Sequence, residues 1–392
     1  MFAQLDRLRK FALWAMVVPM LAFLAACQGG IGIGSSGPSI NTRAAVPVAL
    51  LVPLGSSDSN EQRLAQDLEN AARLATTDLS GVQIDLRVYP TAGNPGRAQE
   101  AAQQAVSDGA KIIIGPLRGE SATAAAQAAA GRGVNVLAFS NNAAIAGGNL
   151  FVLGQTFDST ANRLVSYAVS QGKNRVMTVY ANNQTGRVGK VAIDRAIAAN
   201  GAVPAGNVAH EFSQQAVINA VPNIRDTAET NQANAVFFTS NTAGALPLFT
   251  QMLPEAGLDP VNTQYIGLSR WDTPPQTLEL PGVQGGWFAL PDPQRNAQFQ
   301  TRYQAAYGNP PHALAGLAYD GIAAVGALVS SGKSDALTTA SLTQPAGFQG
   351  VNGVFRFLPG GTNERALAVA TIEDKQVIVV SPAPTSFGAP GF

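Results

Sequence analysis

The sequence predicts an α/β fold of parallel sheets flanked by helices, divided into two lobes with a ligand cleft between them. Three observations predict it. Short unbroken apolar runs, such as Ile112-Ile113-Ile114 and Ala235-Val236-Phe237-Phe238, have the pattern of strands buried on both faces of a parallel sheet. From Val46 onward such runs alternate with stretches of helical apolar spacing. The alternation runs once to about residue 156 and then begins again on the same plan.

Residues 110–142 show the unit most clearly. The strand Ile112–Ile114 stops at Gly115-Pro116, which can neither extend the ladder nor enter a helix without a turn. A helix of small residues follows, with Ala122 to Ala130 able to lie close to a sheet, and Gly131 and Gly133 punctuate its end. Val134, Val136 and Leu137 then lead a second strand into Ser140-Asn141-Asn142. Ligands of open parallel sheets bind outside the carboxyl ends of the strands, so the loops at 117–121 and 140–142 converge on a candidate site.

The chain begins with a targeting pattern. Arg7, Arg9 and Lys10 precede an apolar core, Phe11 to Phe23, whose 13 residues are too few for a comfortable membrane span. The core ends in Leu24-Ala25-Ala26-Cys27, which resembles a bacterial lipoprotein signal. That resemblance implies cleavage after residue 26 and a lipid on Cys27, and Gln28 in place of Asp implies the outer membrane. Cys27 is the only cysteine, which excludes an internal disulfide and a cysteine metal cluster. Residues 28–45 read as a Gly/Ser/Pro tether, reaching roughly 25 Å as a coil and about 60 Å when extended. Gly32, Gly34 and Gly37 match G-x-G-x-x-G, but neither strand nor helix flanks them to cradle a phosphate.

Beyond the tether, Val46–Leu54 reads as a buried strand, 60–79 as a helix, 82–90 as a more exposed strand and 97–107 as a helix. Phe151-Val152-Leu153 ends the first series at Gly154-Gln155-Thr156. The second series places strands at 175–183, 205–212, 235–238 and 264–268, with polar residues at three of their ends: Asn182, Asn241, and Ser269-Arg270-Trp271. Helices at 294–307 and 313–331 follow, then a hairpin of 354–358 with 366–372, and a last strand at 377–380. The expected division is 46–156 plus 291–380 for lobe 1, 157–290 for lobe 2, and a disordered tail at 381–392. A cleft lined by strand-end loops is the default ligand site. Its candidate residues are Leu54, Leu117, Arg118, Gly119, Ser121, Ser140, Asn141, Asn142, Gln155, Asn182, Gln184, Thr185, Asn241, Ser269, Arg270 and Trp271. Trp271 with Arg270 reads as an exposed pair at the rim, and Arg118 with Glu120 as a local ion pair.

Composition narrows the function. Removing the leader leaves 22 basic against 24 acidic residues, which gives no electrostatic footprint for nucleic acid. Only His210 and His312 are present, 102 positions apart, and H-E-x-x-H and G-x-S-x-G are absent. Ser170 to Lys173 and Ser330 to Lys333 match S-x-x-K, yet both straddle a helix-ending glycine, and K-T-G and S-D-N are missing. The reading is therefore non-enzymatic, with no cofactor and no metal.

The motifs at 112–122 (IIIGPLRGESA), 136–142 (VLAFSNN), 179–186 (VYANNQTG) and 309–321 (NPPHALAGLAYDG) resemble the type 1 periplasmic binding proteins, the leucine/isoleucine/valine-binding branch in particular. The resemblance spans Val46 to about Val380 and implies two lobes joined by three crossovers that close on a ligand. It implies that Ser140 and Asn141 would meet an α-carboxylate. Where amino-acid binders place aromatics and an acid, this chain has Gln184-Thr185, Asn241 and Ser269. Burying an ammonium without an anion costs several kcal/mol, which argues against a free amino acid. GPLRGESA, VLAFSNN and the Cys27 signal together are most similar to the penicillin-binding-protein activator lipoproteins. That likeness implies a partner, a peptidoglycan-synthesising penicillin-binding protein. The alternative is the substrate-binding lipoprotein of an ABC importer, with a small polar ligand in the cleft.

Overall fold

The computed structural model describes residues 37–388. The signal peptide, Cys27 and the first part of the tether lie outside the described residues, as does the end of the tail. The first lobe runs β1 (Val46–Val52), α1 (Ser59–Asp78), β2 (Ile84–Pro90), α2 (Pro95–Ser107), β3 (Ile112–Ile114), α3 (Gly119–Ala130), β4 (Asn135–Ala138) and β5 (Leu150–Val152). Its sheet has the order β2-β1-β3-β4-β5, all parallel, with Leu50 beside Ile114 and Ile114 beside Leu137.

The apolar runs are explained by burial on both faces. Leu50, Ile112 and Ile114 face one core with Leu64, Leu68 and Ile322, while Ala49, Leu51 and Ile113 face another with the alanines of α2 and α3. Each fully buried Leu or Ile contributes about 1.5–3 kcal/mol. In α3 the buried positions Ser121, Ala122, Ala125, Ala126 and Ala129 form one stripe at helical spacing.

The second lobe continues with α4 (Phe157–Ser170), β6 (Arg175–Ala181), α5 (Gln184–Ala199), β7 (Val203–His210), α6 (Gln214–Thr230), β8 (Ala235–Phe238), α7 (Leu246–Glu255), β9 (Gln264–Gly267) and β10 (Trp287–Leu290). The chain then returns to the first lobe through α8 (Pro293–Tyr307), α9 (Ala315–Val329), α10 (Thr339–Leu342) and a small antiparallel sheet of β11 (Phe348–Gly350), β12 (Gly353–Phe357) and β13 (Asn363–Arg365). Phe299, Tyr303, Ile322, Phe348 and Phe355 join the core of β1 and β3.

The end of the chain departs from expectation. β14 (Ala368–Glu373) and β15 (Gln376–Ser381) form their own hairpin, and β14 pairs antiparallel with β10. The second sheet is therefore β15-β14-β10-β9-β8-β6-β7, and residues 368–381 belong to lobe 2 and not to lobe 1. The strand expected at 366–372 splits at a third crossover between Arg365 and Ala368, and β12 pairs with β11 and β13 instead. The expected disordered tail at 381–392 is held in part: Ser381 ends β15, Arg163 Nη2 donates to Ser381 Oγ (2.6 Å) and Pro382 O (3.3 Å), and the Phe387 ring lies under Arg356.

The crossovers are cross-braced. Arg365 donates to Leu153 O (Nη2, 2.6 Å) and to the Asp320 carboxylate (Nη1, 2.9 Å), and Asn363 Nδ2 donates to Val152 O and Gly154 O. Asp320, fully buried on α9, also accepts from Val351 N and Asn352 Nδ2, while Asn352 O accepts from Asp292 N. A buried carboxylate is tolerated here because a guanidinium and two further donors surround it.

Candidate functional site

The carboxyl ends of β3 and β4 open into a cleft of about 860 Å³, within the usual range for small-ligand sites. Gly115 makes the first turn possible. Its φ is +87°, and a Cβ there would lie 2.1 Å from Leu51 O on β1. The chain can thus turn at the sheet edge and deliver Leu117 and Arg118 to the cavity before α3 begins.

The start of α3 is chemically open. Arg118 at its N-cap supplies no side-chain hydrogen bond, and Ala122 N, bonded to Arg118 O at 2.9 Å, closes the first turn. The amides of Gly119, Glu120 and Ser121 thus have no intrahelical acceptor. Ser121 is 1 % exposed, lines the cleft, and its Oγ has no hydrogen-bond partner. A buried hydroxyl left unpaired costs about 1–3 kcal/mol. Ser140 Oγ, at the end of β4, accepts from Asn142 N (3.1 Å), which leaves its own proton to donate. Free amides, the positive end of a helix dipole and converging hydroxyls suit an anion.

Leu117, Arg118, Gly119, Ser121, Ser140, Asn141 and Asn142 all line this cavity. So do Gln155 from the first crossover and Ser269 and Arg270 from the loop after β9. Ser269 Oγ is buried without a partner, while Arg270 is held by Asp272 through two bonds of 2.8 and 2.5 Å.

Other candidates lie elsewhere. Leu54 packs partly buried against the first-lobe core. Asn182 is occupied by Glu211 and Arg187, Gln184 and Thr185 form the first turn of α5, and Asn241 sits on an exposed loop; none lines the cavity. Trp271 is fully buried, not exposed at a rim. It fills a slot between β9 and the approach to β10, where a Cβ at Gly267 or Gly286 would come within 1.9 Å of its ring. Arg118 does not pair with Glu120: residues two apart on a helix do not face each other, and Arg118 Nε instead donates to Glu61 Oε1 (2.8 Å).

The cavity also holds residues that sequence reasoning missed. Glu120 and Phe139 adjoin singled-out residues inside quoted motifs, and Leu314 and Leu317 lie in the 309–321 motif, so a signal was present. Phe157 and Thr160 at the start of α4, Gly93 before α2 and Pro95 at its first position carried none. Leu117, Phe139, Ile145, Phe157, Leu268 and Leu317 give the cleft apolar walls.

His210 is buried at the end of β7, its Nε2 3.2 Å from Ser240 Oγ, and burial lowers its pKa. His312 accepts from Leu314 N at Nδ1. Neither lines the cleft. Among the described residues, no group of three or more His, Cys, Asp and Glu is placed to hold a metal, and no helix is long and apolar enough to cross a membrane.

Two parallel-sheet lobes, three braced crossovers and an open cleft at the strand ends define a two-lobed binding protein. The chain belongs to the periplasmic binding protein family, whose model matches residues 45–376. A search of curated proteins finds no match. Among solved structures, it is similar to a putative branched-chain amino acid ABC transporter protein from Rhodospirillum rubrum (18 % identity, TM-score 0.72, covering 86 % of this chain and 100 % of that one). It is also similar to a solute-binding protein from Rhodopseudomonas palustris in complex with 3,4-dihydroxybenzoic acid (19 %, 0.58, 86 % and 96 %). A third is a substrate-binding protein from Desulfitobacterium hafniense in complex with Leu (17 %, 0.59, 86 % and 100 %). At such identities the likeness carries the fold alone. The family is one of periplasmic proteins.

Proposed function

We propose that this protein is the substrate-binding component of an ABC importer and captures a small carboxylate with an apolar body. The observation that carries the reading is the unpartnered Ser121 hydroxyl at the uncapped start of α3, inside the cleft. A carboxylate there would take up free amides and hydroxyls while its body lies on the apolar walls. Leucine and 3,4-dihydroxybenzoate, held by two of the similar proteins, share that chemistry. The anchor on Cys27, and an outer-membrane address from Gln28, rest on the leader's sequence. The synthase-activator reading, with a penicillin-binding protein as partner, draws nothing from these orphaned groups, since docking of a protein uses a surface and not an empty cleft.

The test is a thermal-shift and calorimetric screen of the acyl-free mature chain against small carboxylates, beside pull-down with bifunctional penicillin-binding proteins. A ligand at 100 times its Kd stabilises by about 2.7 kcal/mol, which reads as a shift of several degrees. Synthase capture with no carboxylate shift would overturn the proposal in favour of the activator.

A further inference from the structure

The far side of the same cleft sets what else the solute carries. Ser269, after β9 on the second lobe, has its Oγ buried without a hydrogen-bond partner and lines the cavity that Ser121 lines from the first lobe. A hydroxyl in that state accepts one hydrogen bond and donates another, so it matches a neutral polar group that does the same. Its surroundings disfavour a cation. Arg270, the next residue, lines the cavity with its side chain 41 % exposed, and Asp272, two residues further on, is already bound to that guanidinium. Glu120 is the single acidic residue in the described lining, and it stands exposed on the opposite lobe, next to the anion cradle. An ammonium directed at lobe 2 would meet an arginine whose charge is already matched and no unpaired anion.

We infer that Ser269 is a specificity-determining residue that selects a carboxylate bearing a hydroxyl and rejects the corresponding ammonium compound. This rests on the carboxylate reading and adds the class of the second group. A site built to hydrogen-bond a hydroxyl rejects an analogue that lacks it, because the buried polar atom is then left bare.

Two matched series test it by calorimetry on the acyl-free mature chain: 2-hydroxy-4-methylpentanoate, leucine and 4-methylpentanoate; and 4-hydroxybenzoate, 4-(aminomethyl)benzoate and benzoate. In the series that fits, the hydroxy acid is expected to bind at least about tenfold more tightly than the ammonium compound. Ser269→Ala is expected to remove its advantage over the bare acid, and Ser269→Asp to move the preference toward the ammonium compound. Melting curves verify that both variants fold. Equal or tighter binding of leucine or 4-(aminomethyl)benzoate by the unaltered chain overturns the inference and leaves the receptor reading standing. A hydroxy-acid advantage that survives Ser269→Ala also overturns it. Binding of none of the six overturns the inference together with the carboxylate reading.

Discussion

The sheet orders β2-β1-β3-β4-β5 and β7-β6-β8-β9-β10 make β3 of the first lobe and β8 of the second topological equivalents, yet their following loops differ in chemistry. After β3 the chain enters α3 through Gly119-Glu120-Ser121, with no side-chain cap and an orphaned hydroxyl. After β8 it enters α7 through Leu246-Pro247, which puts a buried leucine and a residue without an N–H at the helix start. The hydroxyls of the loop after β8 are already used: Thr239 Oγ1 accepts from Ala181 N, Ser240 Oγ meets His210, and Thr242 Oγ1 donates to Thr273 O. One loop is built to receive a hydrogen-bonding partner, and its counterpart supplies its own. In the second lobe that capacity moves to the β9 loop, where the buried Ser269 Oγ has no partner.

The largest expected effect lies in the brace beside the crossovers. Asp320→Ala leaves the Arg365 guanidinium buried and unpaired, and is expected to lower the stability of the whole chain by about 3–5 kcal/mol in urea unfolding. Gly286→Ala drives a methyl group into the Trp271 ring. It is expected to cost about 1–3 kcal/mol and to shift tryptophan fluorescence as the Ser269 loop moves.

Smaller changes separate the two loops. Ser240→Ala removes a satisfied hydroxyl from the second lobe and should cost about 1 kcal/mol of stability with carboxylate binding unchanged. The smallest effect is a pH dependence. His210 is kept neutral by burial and its folded pKa is lowered, so the unfolded chain takes up the proton first as pH falls through 6.5. Stability should therefore decline below that pH, with a shallower slope in His210→Gln, as measured by denaturation between pH 7 and 5.

The fold was legible where burial imposes a pattern. Ile112–Ile114 is covered on both faces by α1, α9, α2 and α3, so its unbroken apolar run reported a parallel strand directly. The first-lobe loops were legible because Gly115-Pro116 and Ser140 follow such runs without interruption. What depends on distant partners was not legible. The lobe of β14 is decided by its pairing with β10, nearly eighty positions earlier in the chain. Trp271 is hidden by two glycines that only the folded sheet brings around it, and the partner of Arg118 is Glu61 on another helix. Asn182, Gln184, Thr185 and Asn241 were chosen by equivalence of position, and equivalent positions here carry different hydrogen bonding.

The most direct measurement compares Ser121→Ala and Ser240→Ala by calorimetry with a small carboxylate that the unaltered chain binds, and by urea unfolding. The expected result is that Ser121→Ala weakens binding about tenfold, as one lost hydrogen bond to a charged group implies, while its stability does not fall and rises by up to about 1–3 kcal/mol, because the deleted hydroxyl was buried with no partner to lose. Ser240→Ala should do the reverse. Unchanged affinity in Ser121→Ala, or an affinity loss as large in Ser240→Ala, would contradict the assignment of recognition to the open start of α3.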